Sequence, residues 1–280
     1  MTVLVTGATG HVGRAVVAKL VAAGRKVRAS SRDAATLDVP DGVEKVSLDL
    51  ENVATLEGAL DGVDSVFLYT RPQGIEGFVK TAEAAGVRHV VQLSSGSVRE
   101  PNADQSPIAA LHRGVEEALA ASKLGHTALQ PGAFAANALA WAPGIREGVV
   151  RVAFPDAQVG AIHEADMAAV AVRVILDGSH IGESLALTGP TAISLREQVE
   201  TIADVLGRQI RLEEQTPAEA TEEMSARGWP SVVAEGLIHY WRQAVTEPAP
   251  VTDVVRDVTG AAPRTFRQWV EDHREAFAVR

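Results

Sequence analysis

The sequence predicts an α/β fold, a doubly wound parallel sheet with a smaller, mostly helical C-terminal lobe. Three observations predict it. Short β-branched runs alternate with helical patterns through the first half of the chain, as successive right-handed strand–helix–strand units require. The runs are almost continuously apolar, as in Val66-Phe67-Leu68 and Val90-Val91-Gln92-Leu93. Strands covered by helices on both faces need that pattern, whereas a strand with one wet face alternates. The turn between the first strand and first helix carries glycine at every third residue, Gly7, Gly10 and Gly13.

Taken in order, Thr2–Thr6 reads as strand one. His11–Ala23 follows as a helix, with Val12, Val16 and Leu20 on one face and Gly24 as its stop. Lys26–Ser30 reads as strand two, Val43–Leu48 as strand three, Val63–Tyr69 as strand four and Val87–Ser94 as strand five. Helical stretches at Asn52–Leu60 and Gly74–Ala85 separate the later strands, and a helix over Leu111–Ala121 leads into strand six, His126–Gln130. Residues 1–131 form the core on this reading. Beyond Pro131 the chain is broken by Pro143, Gly144, Pro155 and Gly160, and a helix over Asp166–Leu176 is expected to pack back on the sheet. Three helix starts carry capping-box spacing: Ser194 with Glu197, Thr216 with Glu219 and Pro217 behind the cap, and Thr265 with Gln268. Val233, Leu237, Tyr240, Trp241 and Ala244 form a helical stripe, and little strand is expected after Leu187. Residues 132–280 are expected to make a substrate-side lobe interleaved with the last strands and helices of the core.

Composition narrows the function. The chain has 280 residues, of which 46% are hydrophobic, enough for a sizeable core. It has no cysteine, which excludes disulfides, thiolate metal sites and cysteine nucleophiles. A net charge of −10 without a basic stripe repels a phosphate backbone, so no nucleic-acid partner is expected. The first residues lack the basic and apolar regions of a secretory signal. No apolar stretch reaches the roughly 18 residues that span a bilayer. A cytoplasmic protein acting on a small molecule, with no membrane partner, is the expectation.

The run Thr6-Gly7-Ala8-Thr9-Gly10-His11-Val12-Gly13 is the richest signal. A tight turn and close backbone approach to a pyrophosphate both need residues without a Cβ. The free N–H groups and dipole of the following helix then hold negative charge. The spacing therefore predicts a dinucleotide on a Rossmann sheet, held by Gly7, Thr9, Gly10, His11, Val12 and Gly13. NAD-preferring folds place an acid about 20 residues on, at the end of strand two, against the ribose 2′-hydroxyl. Here that strand ends Ser30-Ser31-Arg32. Ser31 and Arg32 can clamp a 2′-phosphate, which points to NADP(H). Asp33 is the rival, but it lies beyond the expected position and reads as a local cap.

Val5-Thr6-Gly7-Ala8-Thr9-Gly10-x-Val12-Gly13 resembles the opening of the NmrA-like family of atypical short-chain dehydrogenases/reductases, and the resemblance covers nearly the whole chain. It implies that Arg32 lies at the 2′-phosphate and that Asp49 and Leu50, in Leu48-Asp49-Leu50, border the adenine. Val91-Gln92-Leu93-Ser94-Ser95 resembles the family's fifth strand. Gln130-Pro131-Gly132-Ala133-Phe134-x-x-Asn137 resembles the segment beside the nicotinamide, which puts Pro131, Gly132 and Phe134 at the cofactor. Leu187-Thr188-Gly189-Pro190 and Thr265-Phe266-x-x-Trp269 resemble actinobacterial members. Two positions depart from the family pattern: Gln130 stands where members usually carry Arg, and Tyr-x-x-x-Lys is absent, since neither Tyr69 nor Tyr240 has Lys four residues on.

The resemblance sets His112 where other members carry a lysine. His112 is expected to hydrogen-bond the nicotinamide ribose or to donate a proton. Leu68, Tyr69 and Thr70 end strand four and Ser94 and Ser95 end strand five, where ligands of a doubly wound sheet bind. Tyr69 either shields the cofactor or donates a proton. Trp141, Trp229 and Trp241 are candidates for an aromatic pocket. His163-Glu164-x-Asp166 reads as a helix start and not a metal site, since Met167, Val170, Ala171 and Val174 follow at helical spacing. Gly-x-Ser-x-Gly is absent, so a hydrolase has no support. Two functions stand. One is an NADPH-dependent reductase passing hydride to a small electron-poor acceptor such as a quinone or enone, which needs little acid catalysis. The other is an NADP(H)-binding redox sensor without turnover.

Overall fold

The computed structural model describes residues 1–100 and 103–278. Its first half runs β1 (Thr2–Val5), α1 (His11–Ala22), β2 (Lys26–Ser31), β3 (Glu44–Ser47), α2 (Val53–Leu60), β4 (Ser65–Tyr69), α3 (Ile75–Ala84), β5 (His89–Leu93), α4 (Pro107–Ala120) and β6 (Gly125–Pro131). The second half adds α5 (Ala142–Glu147), β7 (Val149–Val152), β8 (Gln158–Val159), α6 (Glu164–Asp177), β9 (Ser184–Leu187), β10 (Ile193–Ser194), α7 (Leu195–Leu206), β11 (Arg211–Glu214), α8 (Pro217–Ala226), α9 (Ser231–Thr246), α10 (Val254–Thr259) and α11 (Phe266–Asp272).

Seven strands form one sheet in the order β3-β2-β1-β4-β5-β6-β9, and every pairing in it is parallel. Alternate side chains of each run go to opposite cores. Val3, Val5 and Phe67 pack against α1 and α6 through Val16, Leu20, Met167 and Val174. Leu4, Val66 and Leu68 pack on the other face against α2, α3 and α4 through Leu56, Phe78 and Leu119. Burial on both faces is why these strands are apolar at every position. The strand order reverses between β1 and β4, which opens the ligand crevice at their carboxyl ends.

The structure differs from the expectation in two places. β11 lies well past Leu187 and pairs in parallel with β7. Its sequence, Arg-Leu-Glu-Glu, is polar and only half-buried, so hydrophobic patterning does not reveal it. α4 starts at Pro107, four residues before the expected start at Leu111. Ser106 accepts a hydrogen bond from the Ala109 N–H (3.3 Å) and Pro107 fills the first turn. That pair is a legible start signal. The helical stripe of α9 divides between two surroundings: Trp241 and Ala244 join a core with Leu195 and Ala220, while Val233, Leu237 and Tyr240 line a cavity. Among the described residues, no helix is long and apolar enough to cross a membrane.

Candidate active site

The glycine turn separates into three jobs. Gly7 sits at φ +63°, in the left-handed region, and a Cβ on it would meet Tyr69 Cβ at 2.9 Å. Gly13 faces inward, where a Cβ would lie 2.2 Å from the Gly7 carbonyl oxygen, so it lets helix and turn close together. Gly10 is different. It is exposed, and a Cβ there meets the protein only at 3.4 Å. Bareness at Gly10 therefore serves whatever approaches from outside. Gly10 is also the N-cap of α1, no side chain caps that helix, and its first turn holds no acid. Open N–H groups and the positive end of the dipole fit a pyrophosphate. Thr9 and His11 are exposed around this opening, and Val12 is buried as part of the core.

At the end of β2, Arg32 is exposed. Ser30 is buried and its hydroxyl donates to the Val5 carbonyl (3.3 Å); Ser31 donates to the Asp33 carbonyl (2.5 Å). The Asp33 carboxylate accepts from the Ala35 N–H (3.0 Å), capping a short turn. The cation, not the acid, is thus the free group here. Asp49 organises the turn into α2, exchanging hydrogen bonds of 3.0 Å with Thr55, and Leu50 is buried beside it.

The ends of β4 and β5 are more closed than the sequence suggests. Leu68, Thr70 and Ser94 have buried side chains. The Thr70 hydroxyl donates to the Leu93 carbonyl (2.6 Å) and accepts from Gln92 (2.9 Å). Ser94 donates to Glu116. Ser95 accepts from the Ser97 N–H (3.2 Å) and starts a short turn. Tyr69 is half exposed and packs on Gly7.

A cavity of about 640 Å³ opens over the carboxyl ends of β5, β6 and β9, roofed by α9. Of the expected site residues, Ser95, Pro131, Gly132 and Phe134 line it; Tyr69, Ser94 and His112 do not. His112 lies four residues beyond Ile108, a lining residue, on the same face of α4. Burial pushes its pKa down to about 4, and its Nδ1 is buried without a hydrogen-bond partner. His112 is therefore neutral near pH 7, with no acidic proton to give. Beneath the cavity runs a network that sequence reading missed. Glu116 accepts from Ser94 and from Gln130 Nε2 (2.9 and 3.1 Å), and Gln130 Oε1 accepts from Arg99 (3.2 Å). Glu116, Arg99 and Gln130 come from three separate segments, so no spacing rule joins them.

A second cavity, of about 170 Å³, lies inside the lobe. Trp141, Trp229 and Trp241 line it, and it shares Phe134, Asn137, Trp229 and Leu237 with the first. On the phosphate-loop side, Glu164, His11 and His273 present possible ligand atoms within 4.8 Å of one another. Glu164 is already engaged: it accepts from Trp269 Nε1 (2.9 Å) and lies 2.7 Å from His273 Nε2. Its carboxyl is held well below the usual range, where hydrogen bonds from His163 and His273 overcome the opposing effect of burial. The hydrogen bond to Glu164 in turn raises His273 above the ordinary histidine range. This is an ion pair that ties α11 to the start of α6.

The glycine turn, the open helix start and a cavity at the same edge of a parallel sheet define a Rossmann oxidoreductase that uses a nicotinamide dinucleotide. The chain matches the NAD(P)H-binding family model over residues 7–178 and belongs to that family, as an atypical short-chain dehydrogenase/reductase of the NmrA-like type. It is 41% identical over 281 residues to the (4-alkanoyl-5-oxo-2,5-dihydrofuran-3-yl)methyl phosphate reductase of Streptomyces griseus, covering 99% of each chain. It is 32% identical over 289 residues to the NAD(P)H azoreductase of Xenophilus azovorans, again with 99% of each chain covered. The NADPH-dependent quinone oxidoreductase of Escherichia coli has the same fold: TM-score 0.81 at 25% identity, over 97% of this chain and 99% of that one. The chain is thus an NAD(P)H-dependent oxidoreductase.

Proposed function

We propose that the protein is an NADPH-dependent reductase of electron-poor conjugated acceptors, with an activated enone as the preferred class. The carrying observation is the 640 Å³ cavity, lined mainly by apolar groups and placed over β5, β6 and β9 on the side away from Arg32. Such a volume suits a small organic substrate, whereas a sensor needs only the cofactor groove. Bound NADPH supplies hydride. Gly7, Gly10 and the start of α1 hold its pyrophosphate, and Arg32 takes the 2′-phosphate. The neutral imidazole of His112 is suited to orienting the cofactor. Glu116, through Gln130 and Ser94, keeps the strand ends beneath the cavity in place.

The relative from Streptomyces griseus supports the enone class, since its named substrate has a ring double bond with two carbonyl groups on one of its carbons. Its alkanoyl arm also suits the smaller cavity, where three tryptophans and Leu237 supply apolar surface beyond Phe134 within a mixed polar lining. Consumption of NADPH against menadione, cyclohexenone and a 2-acylbutenolide tests this reading. Turnover should be fastest with the doubly activated butenolide. No turnover with any of them overturns the reductase and favours a sensor.

A further inference from the structure

Several polar side chains around the large cavity are already engaged. The hydroxyls of Ser95 and Ser97 pair at 2.9 Å, and Arg99 donates to Gln130. Thr188 accepts from the Thr252 N–H (3.0 Å), and the Thr252 hydroxyl donates to the Ala186 carbonyl (2.7 Å). Tyr240, like Asn137 and His239, is not. It lines the cavity, and among the described residues its hydroxyl has no hydrogen-bond partner. That hydroxyl stands 3.9 Å from the point a Cβ on Gly132 would occupy.

The position matters because Gly132 is the first residue beyond β6. With the pyrophosphate at α1 and the 2′-phosphate side over β2, the reacting half of the dinucleotide extends toward β4, β5 and β6. The phenol therefore faces the place where an acceptor meets the nicotinamide. Its helix packs closely on α4: one turn earlier on α9, a Cβ on Gly236 would come within 2.5 Å of Ile108 Cδ1.

We propose that Tyr240 is a catalytic residue that hydrogen-bonds the carbonyl oxygen of the bound acceptor and gives it a proton, an inference that rests on the reductase reading above. Hydride from NADPH forms a C–H bond at the β-carbon. The π pair of the C=C bond shifts toward the carbonyl, whose oxygen takes the phenolic proton. The products are NADP⁺ and the enol of the saturated ketone, and water entering the cavity returns one proton to Tyr240. Burial first, and the Glu100 carboxyl second, push the Tyr240 pKa up to about 12, so the phenol carries its proton throughout the neutral range. Glu100, Glu235 and His239 are the other titratable groups that line the cavity with it, and Arg99 is the fixed cation. Tyr69 does not line this cavity, and His112 is neutral.

The test compares the native protein with Tyr240→Phe in two measurements. The first is equilibrium binding of 4-nitrophenolate at pH 8 without cofactor, as a planar oxyanion. Tyr240→Phe should weaken it about tenfold or more, as loss of a hydrogen bond to a charged group does. Equal binding, or none to the native protein, overturns the proposal. The second is kcat with the fastest acceptor from pH 6 to 9. Removal of a positioned acid should lower it about 100-fold or more. The native profile should be flat, and that of the variant should fall with rising pH as solvent becomes the donor. An unchanged rate with a flat profile overturns the proposal. If the native protein reduces no acceptor, the reductase reading fails separately, and the binding result still decides whether Tyr240 serves an oxyanion.

Discussion

The two ends of the active-site edge are built by opposite means. At the phosphate loop, a few consecutive residues do the work, and they do it with backbone: Gly7 turns, Gly13 packs, Gly10 stays bare. At the acceptor end, side chains converge from β6, α4, α9 and the turn after β5. The first design recognises what all dinucleotides share. The second can change one helix at a time and so carries what is particular to one substrate.

The sharpest way to break this contrast is at Gly10. Gly10→Val should leave the fold intact, since a Cβ there has 3.4 Å of clearance, yet abolish measurable NADPH binding. Gly13→Val should do both kinds of damage, because its Cβ would overlap the Gly7 carbonyl. Circular dichroism with fluorescence titration separates the two outcomes. Normal NADPH affinity in Gly10→Val would mean the loop serves packing alone. A smaller effect is expected at the 2′-phosphate. Arg32→Ala should weaken NADPH by about 1.5–3 kcal/mol, the range for hydrogen bonds to charged groups, and leave NADH nearly unchanged. Equal losses for both cofactors would place Arg32 elsewhere.

Acid sharpens the comparison least strongly but most broadly. Burial lowers His89, His112 and His126, the last two to about 4, all in the β5–α4–β6 region. Their unfolded values lie near 6.5, so the unfolded chain binds more protons between about 6.5 and 4. Their contribution is full above that window and is lost as pH falls through it, by about 3 kcal/mol each for His112 and His126. His273 has the opposite sign. Its raised value stabilises fully below about 6.5 and the benefit disappears as pH climbs through its folded pKa. Melting temperatures from pH 4 to 9 should show both limbs. His112→Gln should flatten the acid limb while retaining kcat, and His273→Gln should flatten the alkaline one. A large fall in kcat with His112→Gln would return the proton to that histidine.

The same contrast explains what could be read from sequence. The sheet, its strand count through β6 and the glycine turn are local patterns, and the NAD(P)H family followed from them. Asp33 as a cap was equally local. Tyr240 was visible only as one member of a helical stripe. Nothing in its spacing tells whether that face meets core or cavity, because Gly132 lies more than a hundred positions away. Glu116 is one more charge on a helix by spacing, and only the fold brings Gln130 and Ser94 to it. β11 escaped because its partner, β7, is remote and its own residues are polar. His112 was placed by family position, and its burial, which decides its charge, is a tertiary property.

The Glu116–Gln130–Arg99 network bears on how substitutions at two distant positions combine. Gln130 places a neutral amide between the Glu116 carboxylate and a guanidinium from the turn after β5. The two positions are not independent. Arginine at 130 with Arg99 present would bring a second cation to a single carboxylate, and losing Arg99 alone would leave the Gln130 side-chain carbonyl without its donor. Changes at 99 and 130 should therefore combine non-additively, and a variant that exchanges only one of them should lose more than one that exchanges both.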